Sequence, residues 1–289
     1  MSDQLLASLV ITGVALGAVY ALMSLGLTFV YGVTKVFNFA QGSFFIWGSY
    51  FSYLLTEHTN LPMGLVLIVN MCIMFGWGLA YERALIRPLR RFDNWGGIAL
   101  IVTLGSALFL DNLALSIFGS RIKTLPPLVS GNIEVGFAKI QINDILIIVI
   151  LVVVIIALIL FLKKTWPGLA LRGSSQDITG AKMAGIQTDR VFGNAFAISA
   201  VLAGIAGTVL APRTMISPRG GWPILVKALV VMVFGGLGSI KGSLIAAFVL
   251  SMTESFVTFN LGGQWGLPIF LIIALIVLTV RPRGLFGEW

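Results

Sequence analysis

Charge is scarce in this chain: Asp, Glu, Lys and Arg make up 10% of its 289 residues, against about 25% in a soluble domain. That shortage, with 58% hydrophobic residues, excludes a water-soluble fold and makes the bilayer the solvent for most of the molecule. There is a single cysteine, Cys72, inside an apolar run. A disulfide framework and a cysteine metal cluster are thereby excluded. The single histidine, His58, stands in a polar stretch, so no metal site and no cofactor is expected on this chain. The phosphate-cradling pattern Gly-x-x-x-x-Gly-Lys-Ser/Thr is absent, which removes a nucleotide site of that kind. The formal net charge of +8 comes from basic residues scattered between apolar runs. Nucleic acid is therefore not an expected partner.

What remains is a succession of long apolar runs. Backbone amides cannot be left unpaired in hydrocarbon, and these runs lack the alternation of barrel strands, so they read as helices. At about 20 residues per span the chain accommodates eight or nine of them. The expected spans are residues 7–31, 36–55, 62–81, 97–118, 143–162, 190–211, 222–236, 241–259 and 263–279. The expected fold is all-α, a polytopic transmembrane bundle forming one membrane domain over residues 1–289. The seventh span, bounded by Trp222-Pro223 and Gly235-Gly236 and carrying Lys227, reads as short or re-entrant. The first four residues lack the basic segment of a signal peptide, so the first apolar run is expected to be retained.

Alternate loops and span ends divide the basic residues thirteen against six. The richer set includes Arg83, Arg87, Arg90, Arg91, Lys163, Lys164, Lys182, Arg190 and Arg283; the poorer set is Arg121, Lys123, Lys139, Arg213, Arg219 and Lys227. Short loops rich in Lys and Arg stay in the cytoplasm. The first set is accordingly placed inside, with an outside N-terminus and an inside C-terminus.

One cytoplasmic loop, residues 163–189, is more polar than its surroundings. Within it, Ser174 and Asp177 have capping-box spacing, which predicts a helix starting at Ser174. Gly185 supplies a stop. Ile178, Ala181 and Ala184 then share one face at helical spacing, a surface suited to a groove on another protein.

With Gly168 and Arg172 followed by a variable polar stretch and then Ala181, Gly185 and Ile186, this loop resembles that of the permeases of branched-chain amino-acid ABC importers. VFNFAQGSFFIWGSY (36–50) and FGGLGSIKGSLIAAFVL (234–250) are similar to patterns of the same family. The resemblance implies a type II-like importer permease in a prokaryotic inner membrane, with those five loop residues transmitting motion from an ATPase. It also implies a second permease subunit, identical or related, two cytoplasmic ATPase subunits that hold the ATP and magnesium, and a soluble binding protein that delivers the solute. The chain itself is then a transport subunit and not an enzyme. Where branched-chain members often carry histidine, this chain has Gln41, which cannot titrate near neutral pH. Urea, amides and aromatic acids, solutes associated with related permeases, therefore stay open beside branched-chain amino acids.

For a translocation path the polar residues Asn38, Gln41, Ser43 and Ser49 stand out along one early span; interhelical hydrogen bonding is their alternative reading. Carboxylates within spans are costly and face a partner or water. Asp111 and Glu254 qualify, and both are expected toward outer ends where exposure lowers the cost. Glu254 joins the path candidates. The basic stretch from Arg83 to Arg91 reads as an orientation signal or a site for anionic lipid, and Trp47, Tyr50, Trp166 and Trp289 as interfacial anchors or packing residues. Glycine pairs such as Gly13 with Gly17 and Gly204 with Gly207 read as close-packing positions. An ion-coupled secondary transporter is the alternative function. It needs ionisable groups deep in the bundle, and only Asp111, Glu254 and the span-edge Asp144 are available.

Overall fold

A computed structural model describes residues 3–59, 61–127, 129, 131–135, 138–281 and 284–286. The order is α1 (Asp3–Thr34), α2 (Gln41–His58), α3 (Met63–Tyr81), a π turn (Glu82–Ile86), α4 (Arg87–Leu89), α5 (Trp95–Phe118), β1 (Asn132–Val135), β2 (Ala138–Gln141), α6 (Ile142–Lys164), α7 (Trp166–Gln176) and α8 (Ile178–Met183). It continues with α9 (Thr188–Leu210), α10 (Gly221–Gly235), α11 (Ile240–Leu261), a 3-10 turn (Gly263–Trp265) and α12 (Gly266–Val280).

Among the described residues the fold is all-α apart from one antiparallel hairpin, in which Asn132 pairs with Gln141 and Val135 with Ala138. Asn132-Ile133-Glu134-Val135 and Lys139-Ile140-Gln141 alternate polar and apolar residues as strands do, a short signal that the reading for spans passed over. Among the described residues six helices are long and apolar enough to cross a membrane: α1, α3 with α4, α5, α6, α9 and α11. Three further elements fall where spans were expected. At 15 residues, α10 reaches only about 22 Å, short of the roughly 30 Å hydrocarbon core. α12 is equally short, and α2 carries buried Gln41, Ser43, Ser49 and Ser52 along its 18 residues.

α1, α2 and α9 form the centre. Ala18 to Met23 of α1, Gln41 to Tyr50 of α2 and all but two residues from Val191 to Ala200 of α9 are buried. A helix buried on every side needs neighbours that come close all round it, and small residues make that possible here. A Cβ on Gly48 of α2 would lie 2.5 Å from the Cα of Gly204 on α9, and one on Gly207 would lie 2.2 Å from the carbonyl oxygen of Phe45. Gly17 meets α11 in the same way, 2.8 Å from Phe248. These glycines are packing positions. Trp47 and Tyr50 are packing residues as well: Trp47 stacks on Trp77 at 5.3 Å and Tyr50 on Phe118 at 4.0 Å. Trp166 is exposed, and Trp289 and Arg283 lie outside the described residues.

The loops gather at two ends. At one, Arg87 and Arg90 reach Asp189 at 2.6 and 2.8 Å, which joins the corner after α3 to the start of α9. The backbone amides of Leu285 and Phe286 donate to the carbonyls of Phe234 and Gly235 at the C-terminus of α10. At the other end Lys123 bridges Ile216, and Arg213 pairs with Asp144 at 3.1 Å. His58, expected in a loop, is the exposed last residue of α2.

Candidate coupling segment and interhelical polar contacts

The segment after α6 is two short helices in place of the single one expected from Ser174. Thr165 caps α7, its hydroxyl accepting from the Gly168 amide at 3.2 Å. Gly168 permits the reversal: a Cβ there would stand 2.2 Å from the Phe161 carbonyl oxygen. On α7, Ala170, Leu171 and Ser174 turn inward and Arg172 outward. The chain breaks at Asp177, whose extended backbone and side chain cap α8, Oδ1 accepting from the Thr179 amide at 2.8 Å. Ser174 is therefore not a cap. It is buried within α7, and its hydroxyl has no partner among the described residues. The spacing was right for a capping box, but an aspartate beginning the next helix competes for the same role.

α8 ends on Gly185, whose φ of +80° is a left-handed conformation that other residues adopt at a cost of about 1–2 kcal/mol. The Gly185 amide donates to the Lys182 carbonyl and the Ile186 amide to that of Ala181, both at 3.0 Å. This is the paired terminus that fixes a helix end, with Ile186 as the apolar residue that follows it. Ile186 packs against the core. The face expected to dock is also different. Ala181 is buried, Ile178 is half-buried, and of the predicted trio only Ala184 is exposed. The outward surface is Thr179, Lys182, Met183 and Ala184, with Met183 86% exposed. In a six-residue helix spacing alone does not select the inward side; the seating on α7 and α9 does.

A test of the revised cap is direct. Asp177→Ala should cost about 1 kcal/mol of local stability and speed proteolysis within 163–189 about fivefold, while Ser174→Ala should leave the cleavage rate unchanged. Faster cleavage of Ser174→Ala than of Asp177→Ala would return the cap to Ser174.

The path candidates on α2 and just before it are engaged in internal bonds. Gln41 donates to the Ser199 carbonyl at 3.1 Å and accepts from the Ser199 hydroxyl at 2.7 Å, tying α2 to α9. Ser49 donates to Phe45 within its own helix. The Asn38 side-chain oxygen accepts from the Ala40 amide at 3.1 Å, while its buried Nδ2 has no partner among the described residues. Ser43 donates to Asp111 at 2.7 Å, and the Trp222 indole donates to the other carboxylate oxygen at 2.8 Å. Asp111 is thus buried and satisfied by α2 and α10, not relieved by exposure at an outer end. Glu254 departs from expectation in the same way. With its side chain 10% exposed, it accepts from Lys227 at 2.5 Å and from the Tyr20 hydroxyl at 2.9 Å. Lys227 donates also to Tyr20 at 2.9 Å and is no loop charge, leaving the basic count at thirteen against five.

Sequence reading missed Asn70, which donates to the Gly48 carbonyl at 3.1 Å and to Thr208 at 2.8 Å. It also missed Glu82, buried at the π turn and paired with Arg90. Burial pulls the Arg90 guanidinium below its usual range, with the Asp189 carboxylate opposing.

A bundle centred on buried helices, with six described helices long and apolar enough to cross a membrane and a short doubly capped helix held at one end, has the layout of a polytopic membrane protein. Residues 9–280 match the family described as branched-chain amino acid transport system, permease component. The chain belongs to that family of ABC-importer permeases. It is 32% identical to the high-affinity branched-chain amino acid transport system permease protein LivH of Escherichia coli K12, over 100% of this chain and 98% of that protein. It is 30% identical to the corresponding protein BraD of Pseudomonas aeruginosa, over 96% and 94%. More distantly, it is 28% identical to the autoinducer 2 import system permease protein LsrC of Yersinia enterocolitica, over 78% and 62%. In fold it is similar to a chain of PsaBC from Streptococcus pneumoniae in complex with Fab, with a TM-score of 0.52, 15% identity and coverage of 98% and 94%.

Proposed function

We propose that this chain carries branched-chain amino acids, or a small solute of related shape, as one permease subunit of an ATP-driven importer. The names of LivH and BraD support the substrate class. Gln41 is bonded to Ser199 and so supplies packing at its position whatever the solute. ATP is hydrolysed on separate subunits. A second permease, two ATPases and a soluble binding protein complete the assembly in a prokaryotic inner membrane. The nine apolar helices each cross or dip into the bilayer, and residues 163–189 form the coupling loop of one membrane domain. We place the coupling end in the cytoplasm because it gathers the basic loops, and the C-terminus with it because Leu285 and Phe286 are bonded there.

The observation that carries the mechanism is the exposed face of α8 on a rigid mount. Capped by Asp177, stopped by Gly185 and seated through buried Ala181, α8 moves with α7 and α9 when its outer face is pushed. Of the loop residues, Gly168, Asp177, Ala181, Gly185 and Ile186 hold the shape, Ser174 fills the inward side of α7, and Arg172 with Met183 meets the ATPase. The polar side chains Asn38, Gln41, Ser43, Ser49 and Glu254 set the spacing of the helices around the path. An ion-coupled carrier would want a carboxylate free to exchange its ion; Asp111 and Glu254 are both held by donors.

Met183→Glu tests the reading. It places a charge on the exposed docking face without disturbing the buried side of α8, so co-purified ATPase and ATP-driven uptake should both fall at least tenfold. Full uptake with bound ATPase would refute the docking role. Ala181→Arg is the poorer probe because it strikes the packing beneath α8.

A further inference from the structure

Beside the coupling face, two cavities form one groove, the first between α3, the π turn, α8 and α9 and the second between α3, α6 and α9. The larger, about 930 Å³, lies at the coupling end and is lined by Arg83, Arg87, Lys182, Asp189 and Arg190 among others. The second, about 480 Å³, is apolar, with Met71 of α3, Leu158 of α6 and Ile198, Val201 and Ile205 of α9 in its walls. Phe75 and Asn194 line both, so the basic head opens into the apolar shaft. Along α9 the shaft runs from Asn194 to Ile205, about 16 Å at the helical rise, which is the depth of one leaflet of a hydrocarbon core roughly 30 Å thick.

The charge in the head is uneven. Glu82 is paired with Arg90, and Asp189 with Arg87 and Arg90. Arg83, Lys182 and Arg190 are exposed and have no acidic partner among the described residues. Three free cations at the mouth of an apolar slot one leaflet deep fit a molecule with an anionic head and an acyl chain. A second copy of this chain would bring the same basic end to the groove and be repelled by it.

We propose that this groove binds an anionic phospholipid, with its phosphate at Arg83, Lys182 and Arg190 and an acyl chain along Ile198, Val201 and Ile205. The assignment of the leaflet as cytoplasmic rests on the orientation proposed above; the groove itself does not. Because Lys182 belongs to α8, the bound headgroup touches the coupling segment, and the lipid steadies it against α3 and α9.

The experiment is native mass spectrometry of the chain, purified in mild detergent with the subunits that stay bound and exchanged against equal phosphatidylglycerol and phosphatidylcholine. Because its anionic headgroup meets three basic groups, phosphatidylglycerol should be retained at least tenfold over phosphatidylcholine. Arg83→Gln with Arg190→Gln should bring that ratio close to one, and Val201→Trp, filling the shaft, should reduce retention of both lipids. A wild-type ratio near one, or an unchanged ratio in the double variant, overturns the proposal. So does loss of the second permease in Val201→Trp, which would make the groove a subunit seat. The readout needs neither ATP nor solute: missing ATPase subunits in the same spectra would count against the proposed function and leave the lipid site standing.

Discussion

Replacing Glu254 with glutamine should lower the stability of the detergent-solubilised protein by about 3–5 kcal/mol, the usual cost of removing one partner from a buried ion pair. Lys227 is 13% exposed and its ammonium has two partners, Glu254 at 2.5 Å and Tyr20 at 2.9 Å. Glutamine keeps an acceptor at that position but leaves the positive charge uncompensated between α1, α10 and α11. The pair itself need contribute little, since an apolar replacement of both groups is often neutral or stabilising. Adding Lys227→Met to Glu254→Gln should therefore recover more than half of the loss. Thermal unfolding of the three proteins measures both effects. A fully stable Glu254→Gln protein would free the carboxylate for a part in transport, and unchanged uptake in the rescued double variant would reduce the pair to scaffolding.

Gly207→Val should abolish recovery of folded protein from the membrane. The new Cβ would stand 2.2 Å from the Phe45 carbonyl oxygen and 2.7 Å from Ser49. The nearer obstacle is backbone, so no rotamer change relieves it, and α2 must move off α9, pulling Gly48 from Gly204 and Ser52 from Thr208. Overpacking costs about 1–3 kcal/mol where side chains can shift, and more where they cannot. Gly76→Val, on α3 where nothing lies within 4 Å of the added carbon, is the matched control and should purify normally. Size-exclusion profiles of the two proteins decide the matter; equal recovery would mean that the central helices can separate without loss.

How much of this could be read from sequence depended on whether the signal was local. Hydrophobic runs are local, so the helices now bounded at Trp95–Phe118, Ile142–Lys164 and Thr188–Leu210 were found within about two residues. Arg83, Arg87, Lys182 and Arg190, assigned to one set of loops, do line one cavity. Lys227 was misread because its partner sits 27 residues away on another helix, and a lysine near Trp222-Pro223 resembles an interfacial one. Asp111 was misjudged because its donors, Ser43 and Trp222, come from helices distant in sequence. In the loop at 163–189 the helix stop expected at Gly185 was correct. The cap and outward face were not, because Ser174 and Ala181 are set by what α7 and α8 pack against.

The π turn at Glu82–Ile86 amounts to one extra residue inserted into an otherwise α-helical rod. Its effect is rotational. Deleting a single residue there would restore the ordinary hydrogen-bond register and swing everything beyond it by about 100° around the helix axis. Arg87 and Arg90 would then point away from Asp189, and the strap that joins the foot of the third helix to the root of the ninth would be undone. The surplus residue thus works as a phase adjustment between two helices, and chain length at this corner is under tighter constraint than the identity of the exposed residues Ala84 and Leu85.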